Sequence, residues 1–148
     1  IRTERGGKMK LILAYTKGGK ELANSIKKYI ESLNKVELTE LENDDVFELS
    51  QKAAEFVLEA PSENRAIIID DFGIAPFMVT AKHKNIITSE TNDEHTAYMT
   101  RDHNNANVVT LGYELIGEKV ALSITDRFIN HDYSGGRHQI RIDMLNKM

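Results

Sequence analysis

The chain has 148 residues, 41% hydrophobic and 28% charged, which suits a single domain with a substantial core. Its formal net charge of −4 argues against a broad nucleic-acid-binding surface, since such surfaces are basic. It has no cysteine, which excludes disulfides and thiolate metal sites, and no run nears the roughly 18 apolar residues needed to span a bilayer. Neither nucleic acid nor membrane is therefore expected as a partner, and a cytoplasmic location fits.

Residues 1–8 are polar, glycine-containing and aperiodic, and read as a tag remnant or disordered arm before a domain at 9–148. The apolar run from Met9 to Tyr15 reads as a buried strand, and Thr16 to Gly19 as a turn. Leu22, Ile26, Tyr29, Ile30 and Leu33 give helical spacing over Lys20 to Leu33. Val36 to Leu41 alternates like a strand. Asn43, Asp44 and Asp45 supply a helix cap, and the helix from Val46 to Ala60 ends at Pro61.

Ala66 to Asp70 is a strongly apolar strand that ends in an acid. A loop is expected to Pro76, then a short helix from Phe77 to His83, a strand from Asn85 to Ser89 and a polar helix from Asn92 to Asn105. The strand Val108 to Gly112, the helix Glu118 to His131 and a glycine-led C-terminal helix complete the chain. Strands and helices alternate, and several strands are continuously apolar. The expected fold is α/β: a single-domain, three-layer, Rossmann-like parallel sheet of five strands, helices on both faces and a C-terminal helix. Ligands of such sheets bind beyond the carboxyl ends of the strands, so chemistry is expected in the loops after Tyr15, Asp70, Ser89 and Leu111.

Four constellations could carry chemistry. Thr16-Lys17-Gly-Gly19 could hold an anion at a helix start, or be a plain turn. Asp70 could be a general base, or Asp70 or Asp71 could cap the following turn. Arg101-Asp-His103-Asn104-Asn-Ala-Asn107 offers a proton-exchanging histidine and asparagines that could bind hydroxyls or end a helix. Arg137 and Arg141 lie four apart, so a helix would stack them as a phosphate clamp or as two solvated cations. His83, His95, His131 and His138 show no ligand-like pairing along the sequence.

The runs Arg101 to Val109, leading into Leu111-Gly112, and Gly135 to Arg141 resemble the type B ribose-5-phosphate isomerase and galactose-6-phosphate isomerase family. Phe77-Met-Val79, Ala97 to Arg101 and Ile140 to Met148 extend the resemblance toward the A-type chains of its galactose isomerases. It implies a parallel α/β sandwich whose active sites lie between two chains. It assigns sugar-ring opening to His103, substrate binding to Asn104 and Gly73, and phosphate binding to Arg137 and Arg141. Three positions depart from the ribose isomerases. Thr16-Lys17 replaces an Asp-His pair, Asp70 the cysteine base and Phe72 an enediolate-stabilising threonine.

A-type chains lack that cysteine and work with a B-type subunit that carries it. The resemblance therefore implies a heteromeric aldose–ketose isomerase interconverting D-galactose 6-phosphate and D-tagatose 6-phosphate through an enediolate. The partner would supply the base, and the site around Asp70, Phe72 and Lys17 would be vestigial. No metal or organic cofactor is implied, and a homodimer or tetramer is expected of the chain in isolation. Two other readings stay open: a non-catalytic sugar-phosphate-binding homo-oligomer, and a self-sufficient isomerase that uses Asp70.

Overall fold

A computed structural model describes residues 9–148, so the expectation for residues 1–8 lies outside the described residues. Five parallel strands form one sheet: β1 (Met9–Tyr15), β2 (Val36–Glu42), β3 (Arg65–Asp70), β4 (Thr88–Glu90) and β5 (Val108–Gly112), in the order β2-β1-β3-β5-β4. Six helices connect or follow them: α1 (Lys20–Leu33), α2 (Val46–Leu58), α3 (Ile74–Thr80), α4 (Glu94–Asp102), α5 (Glu118–Asn130) and α6 (Gln139–Asn146). This is the expected three-layer α/β architecture.

The period of two along the strands sorts the core into two halves. Leu11, Leu13, Ile67, Ile69, Val109 and Leu111 face Ile26 and Ile30 of α1 and Ile124 and Phe128 of α5. Ile12, Ala14, Ala66, Ile68 and Val108 face Leu49, Ala53, Ala54 and Val57 of α2. Strands β1, β3 and β5, apart from exposed Lys10, are thus buried on both faces, which is why they read as largely apolar runs. Edge strand β2 alternates glutamates with half-buried apolar residues, and its charges discourage pairing with another sheet.

Three elements differ most from the sequence expectation. Helix α3 begins at Ile74, so Pro76 lies in its first turn, where the missing N–H costs no intrahelical bond. Strand β4 begins only at Thr88. Asn85 is left-handed at φ 69°, and the Asn107 side chain accepts from Ile87 N–H and donates to the Asn85 carbonyl, so a side chain replaces ladder bonds there. Helix α4 runs only from Glu94 to Asp102. Asp93 caps its start by accepting from Thr96 N–H at 2.7 Å, and its end is closed by left-handed Asn105 and the Ala106 N–H donating to the Thr100 carbonyl.

Candidate active site

Parallel strands put the loops that follow them at one end of the sheet and the loops that precede them at the other. In the pairing of β3 with β5, Ala66 is level with Val108 and Asp70 with Gly112. His103 lies just before β5, after α4 has returned to the amino end of the sheet, whereas Asp70 closes β3 at the carboxyl end. Four residue steps at about 3.3 Å each separate these levels by at least ~13 Å. Asp70 and His103 of one chain therefore do not share a site.

The amino-end group is assembled from the end of α4, the segment after α5, and α6. Gly135 and Gly136 take left-handed φ values of 68° and 60°, which turn the chain sharply into a short 3-10 turn over Gly136–His138. Arg137 lies in that turn and Arg141 in α6, so the expected single helix carrying both arginines is not formed. Both remain exposed and on the same short segment. Arg141 donates through Nη2 to Asn104 Oδ1 at 3.1 Å, which joins two of the constellations across 37 residues. Ile142 and Asn146 border a cleft with Asn85, Asn105 and Asn107, which seats α6 against the amino end of the sheet.

His103 stands at the C-terminus of α4, with its ring stacked on that of His138 at 4.0 Å between centroids and 18° between planes. Desolvation and the charges of His103, Arg137 and Arg141 hold the His138 imidazole below its ordinary pKa. Its cationic form would add to an already positive surface. Behind this group Arg101 is buried, donating to the Ala106 carbonyl at 2.8 Å, to Asn105 Oδ1 at 2.9 Å and to the His131 carbonyl at 3.3 Å. Burial lowers its pKa to about 10. Arg101 is thus a brace for the loop that presents His103 and Asn104. Taken together, the cluster offers two exposed guanidinium groups for a dianion, an amide for a hydroxyl and an imidazole for a proton.

The carboxyl-end group is differently disposed. Gly73, at φ 75°, donates its N–H to Asp70 Oδ1 at 2.5 Å, and its carbonyl accepts from Thr110 Oγ at 2.6 Å. The Asp70 carboxylate therefore closes its own loop, and the Gly73 amide is engaged within the chain rather than free for substrate. Phe72 is half exposed and brings no hydrogen-bonding side chain. In the loop after β1, the Lys17 N–H donates to Asp44 Oδ1 at 2.6 Å, so the chain's own acid occupies the place expected for an anion. Tyr113 closes the same corner, since a Cβ on Gly18 would lie 2.3 Å from its hydroxyl. Among the described residues, no group of three or more His, Asp or Glu side chains could hold a metal ion.

Burial pushes the Asp70 carboxyl up to about 6, with Asp71 adding repulsion, against the lowering effect of the Gly73 N–H. The folded pKa lies above the unfolded one, so the folded state takes up a proton as pH falls through 6. The cost of burying the charged form is then full above pH 6 and gone below about 4. Asp70→Asn keeps an acceptor for Gly73 and should raise stability at pH 7.5 by on the order of 2 kcal/mol. Denaturant titrations across pH should show that gain shrinking between pH 6 and 4.

Asp70, Phe72, Gly73 and Lys17 lie beyond the carboxyl ends of the strands, where the sequence placed chemistry, whereas His103, Asn104, Arg137 and Arg141 do not. The structure brings the last four together at the amino end. It also pairs two histidines that sequence spacing left unpaired: His138 stacks on His103, and His131 Nε2 lies 3.3 Å from Asp102 Oδ1. Asp102 is the residue that sequence reasoning passed over. Its adjacency to His103 was the available signal, and its contact with His131, 29 residues away, had none.

The model of a family described as ribose/galactose isomerase matches residues 11–145 of this chain. Galactose-6-phosphate isomerase subunit LacA 1 of Streptococcus agalactiae serotype III is 42% identical over 142 residues, covering 95% of this chain and 99% of the relative. Subunit LacA of Streptococcus equi subsp. equi is 41% identical over the same shares. Among solved structures, type B ribose 5-phosphate isomerase of Trypanosoma brucei superposes with a TM-score of 0.87 at 26% identity, covering 95% of this chain and 98% of that one.

Proposed function

The chain belongs to the ribose/galactose isomerase family, and on that premise we propose that it is the A-type subunit of a heteromeric isomerase interconverting D-galactose 6-phosphate and D-tagatose 6-phosphate. The observation that carries this reading is the placement of its site residues. A histidine and two exposed arginines stand at one end of the sheet, and at the other stands a loop whose Gly73 amide is engaged by Asp70 and whose Phe72 brings no hydroxyl. A complete site needs the first kind of surface from this chain and a base loop from another.

In such a site Arg137 and Arg141 hold the phosphate, and the remote grip orients the sugar. His103 takes the proton of the anomeric hydroxyl as the ring opens. The partner's base then removes the C2 proton, whose electron pair forms the enediolate. The C2 hydroxyl gives up its proton while O1 takes one, and return of a proton to C1 leaves the carbonyl at C2. No helix among the described residues is long and apolar enough to cross a membrane, and a cytoplasmic location accords with a phosphorylated substrate.

The test is reconstitution. The chain is purified alone and with a B-type subunit, and isomerisation is assayed for both preparations. Turnover is expected only in the mixture, and a mixture as inactive as either chain alone ends this reading. A second reading rests on the raised pKa of Asp70, which suits a base working near neutral pH. It requires turnover by the chain alone that Asp70→Asn abolishes.

A further inference from the structure

Asp102 is the last residue of α4, at the negative end of the helix dipole, where a carboxylate is ordinarily disfavoured. The position is nonetheless heavily committed. Ser134 donates to the Asp102 carbonyl through both its N–H at 3.1 Å and its hydroxyl at 2.8 Å. The side chain stands between two imidazoles, with Oδ2 3.0 Å from His103 Nε2 and Oδ1 3.3 Å from His131 Nε2. All three side chains are partly shielded from water. His131 is held in turn by the Tyr98 ring at 4.0 Å and by Arg101 on its carbonyl.

A carboxylate oxygen and an unprotonated ring nitrogen both present lone pairs, and at 3.0 Å those lone pairs repel. The neutral His103 ring therefore carries its proton on Nε2, beside Asp102, and leaves Nδ1 bare. His138 covers one face of that ring, so the working part of His103 is its edge. We infer that Asp102 is a positioning residue which, bridging His103 and His131, fixes the His103 tautomer and leaves Nδ1 as the acceptor for the sugar hydroxyl proton.

This inference rests on the isomerase reading for its chemistry. In the step it serves, the anomeric hydroxyl proton passes to Nδ1 and C1–O1 becomes a carbonyl. The bond from C1 to the ring oxygen breaks, its electron pair stays on that oxygen, and water supplies the proton the oxygen takes. The imidazolium that forms lies against the Asp102 carboxylate, which stabilises it.

Long-range proton–nitrogen spectra of the histidine rings, recorded above the histidine titration range, test the tautomer without any turnover. The His103 signals are those missing in His103→Gln. Wild type should show Nε2 protonated and Nδ1 bare, and Asp102→Ala should show a mixture of tautomers. A proton on Nδ1 in wild type, or unchanged ring signals in Asp102→Ala, overturns the inference. Asp102→Asn, which keeps the volume, covers the case in which the alanine variant does not fold. With a B-type partner, Asp102→Asn should lower kcat roughly 10- to 100-fold with KM within about twofold, as supporting residues of a working group do. A parallel change in both constants, or in neither, would also overturn it. Failure of wild type to turn over with any partner would sink the isomerase reading alone, since the ring spectra would still decide the role of Asp102.

Discussion

His103→Gln should reduce turnover of the chain paired with a B-type subunit by roughly 10²- to 10⁴-fold, while Asp70→Asn should leave it within about twofold. Glutamine retains a hydrogen-bonding side chain of similar reach but cannot exchange a proton near neutral pH. In the proposed site Arg137 and Arg141 bind the phosphate, so KM for the sugar phosphate should change little in His103→Gln. Asp70 stands at the other end of the sheet with its carboxylate already committed to Gly73, and Asn can make the same contact. The pair of variants thus separates the two ends of one chain by kinetics. Equal losses in both would mean that this chain's own carboxyl-end loop takes part in catalysis. No loss in His103→Gln would remove the amino-end cluster from the mechanism.

The fold was legible because the physics that sets it is local and periodic. Largely apolar runs at Met9–Tyr15, Ala66–Asp70 and Val108–Gly112 left buried parallel strands as the economical reading, and Asp45 caps α2 by accepting from the N–H groups of Phe47 and Glu48. The errors fell where a side chain or one backbone angle overrides periodicity. Asn107 takes over bonds that a longer β4 would have made, and left-handed Asn105 ends α4 early.

The candidate site was legible residue by residue but not as a place. Sequence spacing could suggest Arg137 and Arg141 as a pair. It could not show that Gly135 and Gly136 turn the segment back to Asn104, because that contact joins positions 37 apart. Nor did it separate Asp70, beyond the carboxyl ends of the strands, from His103 at their amino ends. That depends on which way α4 returns across the sheet. Asp102 was missed for the same reason, since its meaning comes from His131 and Ser134, which follow a whole intervening strand and helix.

Phe128→Ala should cost about 3–5 kcal/mol of folding stability, against less than about 0.5 kcal/mol for a solvent-facing control such as Glu55→Gln. Phe128 is fully buried on α5, where Ala121, Ile124 and Phe128 repeat at helical spacing toward the sheet. Truncation removes the ring's apolar contacts and leaves a cavity between helix and sheet that the surrounding strands can only partly fill. A second loss is electrostatic. The Arg65 guanidinium sits 5.6 Å from the ring centroid and donates to the Phe128 carbonyl, and burial lowers its pKa to about 9. Removing the ring takes away a face that receives a poorly hydrated cation. A domain of this size is stable by about 5–15 kcal/mol, so the variant would lose a large part of its margin and its melting temperature should fall by roughly 10–20 °C. Phe128→Leu retains most of the apolar volume and should cost less than half as much. Denaturant melts of the three variants decide the matter, and a loss under about 1 kcal/mol for Phe128→Ala would show that the core closes over the gap. The consequence reaches the site, because α5 is followed directly by His131, whose carbonyl accepts from Arg101 and whose ring faces Asp102. Activity of the folded fraction should therefore survive in Phe128→Leu, which keeps the end of α5 in register, and fall in Phe128→Ala by more than its unfolded population explains.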